Sequence, residues 1–75
     1  MKSNKGGTRK KAILRDISGA YVFGFSAQRQ CVQITATRSA AKVFTSVAAA
    51  QRFIDTYADA GYGLMRTTTE ILTVG

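Results

Sequence analysis

The chain has no histidine, no tryptophan and no proline, one cysteine and four carboxylates among its 75 residues. These shortages narrow the function before any motif is considered. A catalytic triad needs a base beside its nucleophile, and a metal site needs three or four convergent ligands. Cys31 is a nucleophile in principle, but there is no imidazole to activate it. The acids Asp16, Asp55, Asp59 and Glu70 are too few and too scattered to stand in. The expectation is a non-enzymatic protein with no catalytic residue, no metal and no other cofactor. A single cysteine cannot form an intrachain disulfide, which fits a reducing compartment.

Long apolar runs are also missing. Mean hydropathy is near zero, and no stretch approaches the ~18 residues of a membrane-spanning helix. The N-terminus is basic like the start of a signal peptide. The apolar segment after it, Ala12-Ile13-Leu14, ends at Arg15-Asp16 and is too short for the core of one. The expected location is therefore the cytoplasm. The length allows one domain, whose core is a single layer of side chains between two elements. A hydrophobic fraction of 45% is normal for a folded body.

What the chain does have is positive charge, +7 in all. Residues 1–15 hold Lys2, Lys5, Arg9, Lys10, Lys11 and Arg15 with no acid, whereas residues 16–75 hold five cations against four acids. The charge is thus concentrated in a glycine-rich, polar segment with little to bury. Residues 1–11 read as a flexible basic arm, and residues 12–75 as one small domain. Such an arm can lie along phosphates, gaining mainly from counterion release, or it can serve only to keep the protein soluble.

Alternation of apolar and polar residues marks strands over 10–17, 21–27 and 31–37, with Ser18-Gly19 and Gln28-Arg29-Gln30 as connectors. Tyr21, Phe23 and Phe25 share one face of the second run, and Val32, Ile34 and Ala36 share one face of the third. Paired as an antiparallel meander, these two sets are expected to form a common core face. The other face would then be Val22, Gly24, Ser26, Gln33, Thr35 and Thr37. Residues 38–41 suggest a turn and 42–44 a short extended piece. Thr45-Ser46 offers N-cap chemistry for a helix over 47–60, with Val47, Ala50, Ile54, Tyr57 and Ala58 on its apolar side and Gly61 as its stop. A last strand is expected over 64–74. The order β-β-β-α-β predicts an α+β fold, a two-layer sandwich of about four antiparallel strands with one helix on one face.

The aromatic stripe has two possible uses. Strand aromatics can stack on unpaired bases, and Gly19 to Phe25 faintly resembles the aromatic-glycine signature of RNA-recognition motifs. Its spacing departs from that signature, and no helix follows the first strand. The rings are therefore assigned to packing under the helix. Gly61-Tyr62-Gly63 follows a helix rather than preceding one, so it is a helix stop and not a phosphate loop.

Two kinds of partner remain. The first is nucleic acid, DNA ahead of RNA, held by Lys2, Lys5, Arg9, Lys10, Lys11 and Arg15, with Arg29, Arg38 and Lys42 extending the field from loops. The second is protein. In length and layout, the stretch Tyr57 to Leu72, with its Gly-aromatic pair between helix and last strand, resembles compact phage-encoded proteins that inhibit bacterial RNA polymerase. That family is acidic, whereas this chain is basic. The resemblance implies a host protein as target, RNA polymerase or, for anti-CRISPR proteins, a CRISPR effector. The last strand also lacks a proline to block pairing, so homodimerisation through a sheet edge is open.

Overall fold

Strand segments with period-two hydrophobicity and one helical segment assemble in the expected order in a computed structural model, which describes residues 10–74. The strands are β1 (Lys11–Asp16), β2 (Tyr21–Ser26), β3 (Cys31–Thr35) and β4 (Thr69–Val74), with helix α1 (Val47–Tyr57) between β3 and β4. They form one antiparallel sheet in the order β3-β2-β1-β4. The α+β two-layer fold and the β1-β2-β3 meander are as the sequence implied. No helix among the described residues is long and apolar enough to cross a membrane.

The turns obey local chemistry. Between β1 and β2, the Asp16 carboxylate accepts from the Ser18 hydroxyl at 2.6 Å and from the Ser18 N–H at 3.1 Å, and Gly19 takes φ +95°. Between β2 and β3 there is no glycine, and Gln30 itself adopts the left-handed conformation at φ +53°. Ser46 caps α1 by accepting from the Ala49 N–H at 3.1 Å, the geometry that satisfies one of the helix's free donors.

Two boundaries differ from expectation. Helix α1 ends at Tyr57, not at residue 60. Ala58 closes the last turn onto Ile54, and Asp59, at φ +59°, takes the left-handed position foreseen for Gly61. Its N–H is held by the Leu64 carbonyl at 2.8 Å, and its carboxylate accepts from the Arg66 N–H at 3.3 Å. These bonds fix the reversal before the chain reaches the glycine. The last strand begins at Thr69 rather than at 64, because Leu64 is drawn into the core and Arg66–Thr68 form a 3₁₀ turn.

The sheet is not continuous between β1 and β2. They pair at Arg15↔Tyr21 near the turn, then diverge. Residues 42–44 enter the gap. Lys42 N donates to the Val22 carbonyl at 2.9 Å, and Phe44 exchanges both backbone bonds with Ala12, at 2.7 and 3.0 Å. The short extended piece read from the sequence is thus a wedge within the sheet, and it carries Phe44 into the core.

That core lies between the sheet and α1: Ala12, Leu14, Val22, Val32 and Phe44 meet Ala50, Ile54 and Ala58. Leu14 and Val22 are completely covered, and each contributes about 1.5–3 kcal/mol on leaving water. An aromatic cluster closes one end. Phe25 stacks on Tyr57 at 4.3 Å between centroids, with Tyr62 edge-on to Phe25 at 5.1 Å and Phe53 4.7 Å from Tyr57.

The expected core face of β2 is overturned. Val22 is fully buried and Phe23 is 53% exposed. The cause is a β-bulge: Val22 pairs with Ile34, Gly24 with Gln33 and Phe25 with Val32, so two residues, Phe23 and Gly24, oppose one on β3. Strict alternation cannot bring both Val22 and Phe25 to the helix, since they are three apart. The extra residue does so, and it leaves Phe23 on the other side. Ile34, expected in the core, lies beyond the cover of the helix and is 59% exposed.

Candidate nucleic-acid interface

The helix covers one face of the sheet, and register determines which residues occupy the opposite face. Leu14 points into the core, so its neighbours Ile13 and Arg15 point away from α1. Their direct partners share that side: Leu72 and Glu70 on β4, and Tyr21 on β2. Lys11 and its partner Val74 continue the row at one end. The wedge contributes Val43, which is 54% exposed.

Ile13 is only 3% exposed although it lies outside the core cluster. It forms the floor of a groove of about 450 Å³ lined with Arg38, Ser39, Val43 and Val74. A smaller depression of about 210 Å³ lies at the other end of β1, lined by Arg15, Ile17, Glu70 and Thr67 to Thr69. The helix-free face therefore exposes the apolar side chains of Phe23, Val43 and Ile17 and also carries Lys11, Arg15 and Arg38.

Electrostatics favour an anion there. Among the described residues the ion pairs are Arg15–Glu70 at 3.3 Å and Arg66–Asp55 at 2.7 Å. Asp16 is engaged by Ser18, which holds its carboxyl below the usual range, chiefly through the hydroxyl hydrogen bond. Asp55 is likewise held low, chiefly by the Arg66 guanidinium, and Asp59 accepts from the Arg66 N–H. Each of the four side-chain carboxylates is engaged, and among the described residues only Glu70 stands on the helix-free face. The Arg15 pair is long, and its Nε is buried without a partner. That guanidinium therefore keeps a donor free beyond its bond to Glu70.

The sequence-derived cations divide into groups. Lys11, Arg15 and Arg38 share the helix-free face, Lys11 and Arg38 toward one end of β1 and Arg15 toward the other. Lys10 is exposed just ahead of β1. Arg29 stands at the tip of the β2–β3 hairpin, its N–H donating to Ser26 Oγ. Lys42 turns to the ring of Phe44, with Nζ 5.5 Å from its centroid, and does not join the others. Lys2, Lys5 and Arg9 lie outside the described residues. Sequence reading missed Tyr21 and Phe23 as members of this face. The available signal was Gly24, an isolated glycine within a strand pattern, which marks a bulge.

No protein-family model, curated protein or solved structure matches the chain.

Proposed function

We propose that this is a non-enzymatic nucleic-acid-binding protein whose folded contact surface is the helix-free face of the sheet. The observation that carries the reading is an excess of positive charge, with Glu70 set against Arg15 alone. Lys11, Arg15 and Arg38 share a face on which one acid stands among the described residues. Cationic side chains so placed gain by releasing counterions from phosphates. The basic segment with Lys2, Lys5 and Arg9 enters the domain through Lys10 and Lys11, at the end of β1 where the groove with Arg38 opens, and it adds to the same field. Arg29 and Lys10 extend that field from the hairpin tip and the domain entrance.

The test is salt dependence. Binding of the wild type to a nucleic acid should weaken steeply as salt rises. Neutralising Lys11 and Arg38 together (K11A/R38A) should flatten the slope of log affinity against log salt by about 1.5, at 0.7–0.9 per phosphate contact. Neutralising Lys2, Lys5 and Arg9 should flatten it by roughly 2 on the same basis. A slope unchanged in K11A/R38A rejects the face, and a slope unchanged in the other variant confines binding to it.

A second reading has its own support. At the β3 edge, Val32 N donates to the Tyr62 carbonyl at 2.8 Å, so a loop covers part of that edge. The β4 edge is barer. Ala12 spends both backbone groups on Phe44, and Ile17 N reaches the Thr68 carbonyl. The alternation of the ladder therefore points the backbone groups of Ile71 and Thr73 outward. Strand addition there, by a second copy or by a host protein of the kind that phage inhibitors engage, is the alternative.

A further inference from the structure

We infer that the nucleic acid this face takes is unpaired, with a base stacked on Phe23. The inference rests on the nucleic-acid reading above and adds the state of the ligand.

The disposition of the rings carries it. Of three tyrosines and four phenylalanines, five rings (Phe25, Phe44, Phe53, Tyr57 and Tyr62) pack with one another on the helix side at centroid distances of 4.3–5.8 Å. Tyr21 and Phe23 are outside that cluster and on the opposite face. Phe23 is 53% exposed, on a strand whose neighbouring valine is fully buried. A bulge sets it there, and bulges commonly re-aim a side chain next to a functional site. The second residue of the bulge is Gly24, and apart from its chain neighbours nothing lies within 4 Å of where a Cβ would sit.

The neighbours match a single strand. The bond from Lys42 N to the Val22 carbonyl sets the wedge beside β2, and exposed Val43, the next residue, lines the groove with Arg38. Tyr21 is two residues along β2 and directly opposite Arg15. An exposed ring, a second ring two residues along the strand and guanidinium groups on the same face are the combination that binds unpaired bases: π-faces for stacking, and cations for the backbone. A duplex buries its base faces in its own stack and offers Phe23 only groove edges and phosphates. DNA and RNA single strands share the required chemistry.

The chain has no tryptophan, so Phe23→Trp installs a single reporter on the platform and keeps a stacking surface. Full-length wild type, F23W and F23A are titrated by fluorescence anisotropy with a labelled 12-nucleotide single-stranded DNA, the same sequence as RNA, and the corresponding duplex. Circular dichroism verifies that each variant is folded. The expected result is preference for the single strands, with F23A losing roughly 10- to 100-fold on them and little on the duplex. F23W should keep the affinity, and its emission should be quenched as the strand binds. The DNA and RNA arms show which strand is preferred. Equal binding of single strand and duplex, F23A without effect and F23W unquenched would overturn the inference and leave the phosphate reading standing. Absence of binding to all three ligands at low salt would remove both. If in that case light scattering shows self-association that F23A abolishes, the face is a protein interface instead.

Discussion

Replacing Phe23 and Phe25 by alanine, one at a time, isolates the effect of the β2 bulge. The two residues are chemically identical, lie two apart on one strand, and would share a face if the strand alternated without interruption. Phe25 stacks on Tyr57 at 4.3 Å and meets Tyr62 edge-on at 5.1 Å. Truncating a packed phenylalanine costs about 3–5 kcal/mol, and aromatic pairs of this kind account for roughly 0.5–1.5 kcal/mol each. Phe25 is only partly buried, so its expected cost is at the lower end, about 3 kcal/mol. Phe23 is 53% exposed, which leaves less than half of the 1.5–3 kcal/mol that full burial yields, or about 1 kcal/mol.

Urea unfolding followed by far-ultraviolet circular dichroism reads this difference directly. With a denaturant slope near 1 kcal/mol per molar for so short a chain, F23A should lower the midpoint by about 1 M and F25A by about 3 M. A domain of this size has roughly 4–11 kcal/mol in hand, so F25A is expected to fold, if marginally. F25A failing to fold while F23A folds points the same way. Equal midpoints, or a larger loss in F23A, would mean that both rings face the helix, and the bulge and the binding face would fall together.

Two further outcomes depend on particular groups. The carboxyls of Asp16 and Asp55 are held below their unfolded value of about 3.8, so each favours the folded state above that pH and loses this contribution as pH falls through its lower folded value. The melting temperature should change little on account of these groups between pH 5 and 8 and decline below about pH 4. Asp16→Asn should show a shallower acid decline, and an unchanged one would show that the Ser18 hydrogen bonds carry no linkage. Separately, Thr73→Pro removes an outward N–H that β1 does not use. If the β4 edge pairs, light scattering should show the wild-type dimer converted to monomer with the melting curve of the monomer retained; a dimer indifferent to T73P places the interface elsewhere.

The elements were legible because each announces itself locally. Ser46 ahead of an apolar 3.6-residue pattern marks the start of α1, and Ser18-Gly19 marks the first turn. What was not legible depends on contacts between distant residues. The insertion of residues 42–44 between β1 and β2 requires those strands to diverge, and nothing within 10–27 states that they do. The early end of α1 is decided by Leu64 and Arg66 reaching back to Asp59. A glycine a little past the true helix end is a natural stop only until those bonds are known. Of the site, the cations could be counted in advance, but their grouping could not. Lys42 and Arg38 look alike in a loop, yet one turns to Phe44 and the other lines the groove.

The bulge connects these errors to function. Side chains on a strand alternate with period two, so one extra residue exchanges the faces of everything beyond it. If β2 kept all its residues but ran without a bulge, burying Phe25 would bury Phe23 and Tyr21 as well, and Val22, Gly24 and Ser26 would form an open face with no ring and little to hold a ligand. With it, Val22 and Phe25 both reach the helix, while Tyr21 and Phe23 are left outside beside Arg15 and the wedge. The register shift that completes the aromatic cluster on one side therefore creates the exposed ring on the other. Deleting Gly24 tests whether the extra residue is needed for that division. The deletion sets Val22 and Phe25 two apart and lets Phe23 oppose Gln33 in an unbroken ladder, so plain alternation sends the rings to the same faces as before. A chain lacking Gly24 should therefore fold, with a urea midpoint well above that of F25A and with Phe23 still outside. A loss as large as that of F25A would mean that the bend made by the bulge, and not only its parity, seats Phe25 against Tyr57.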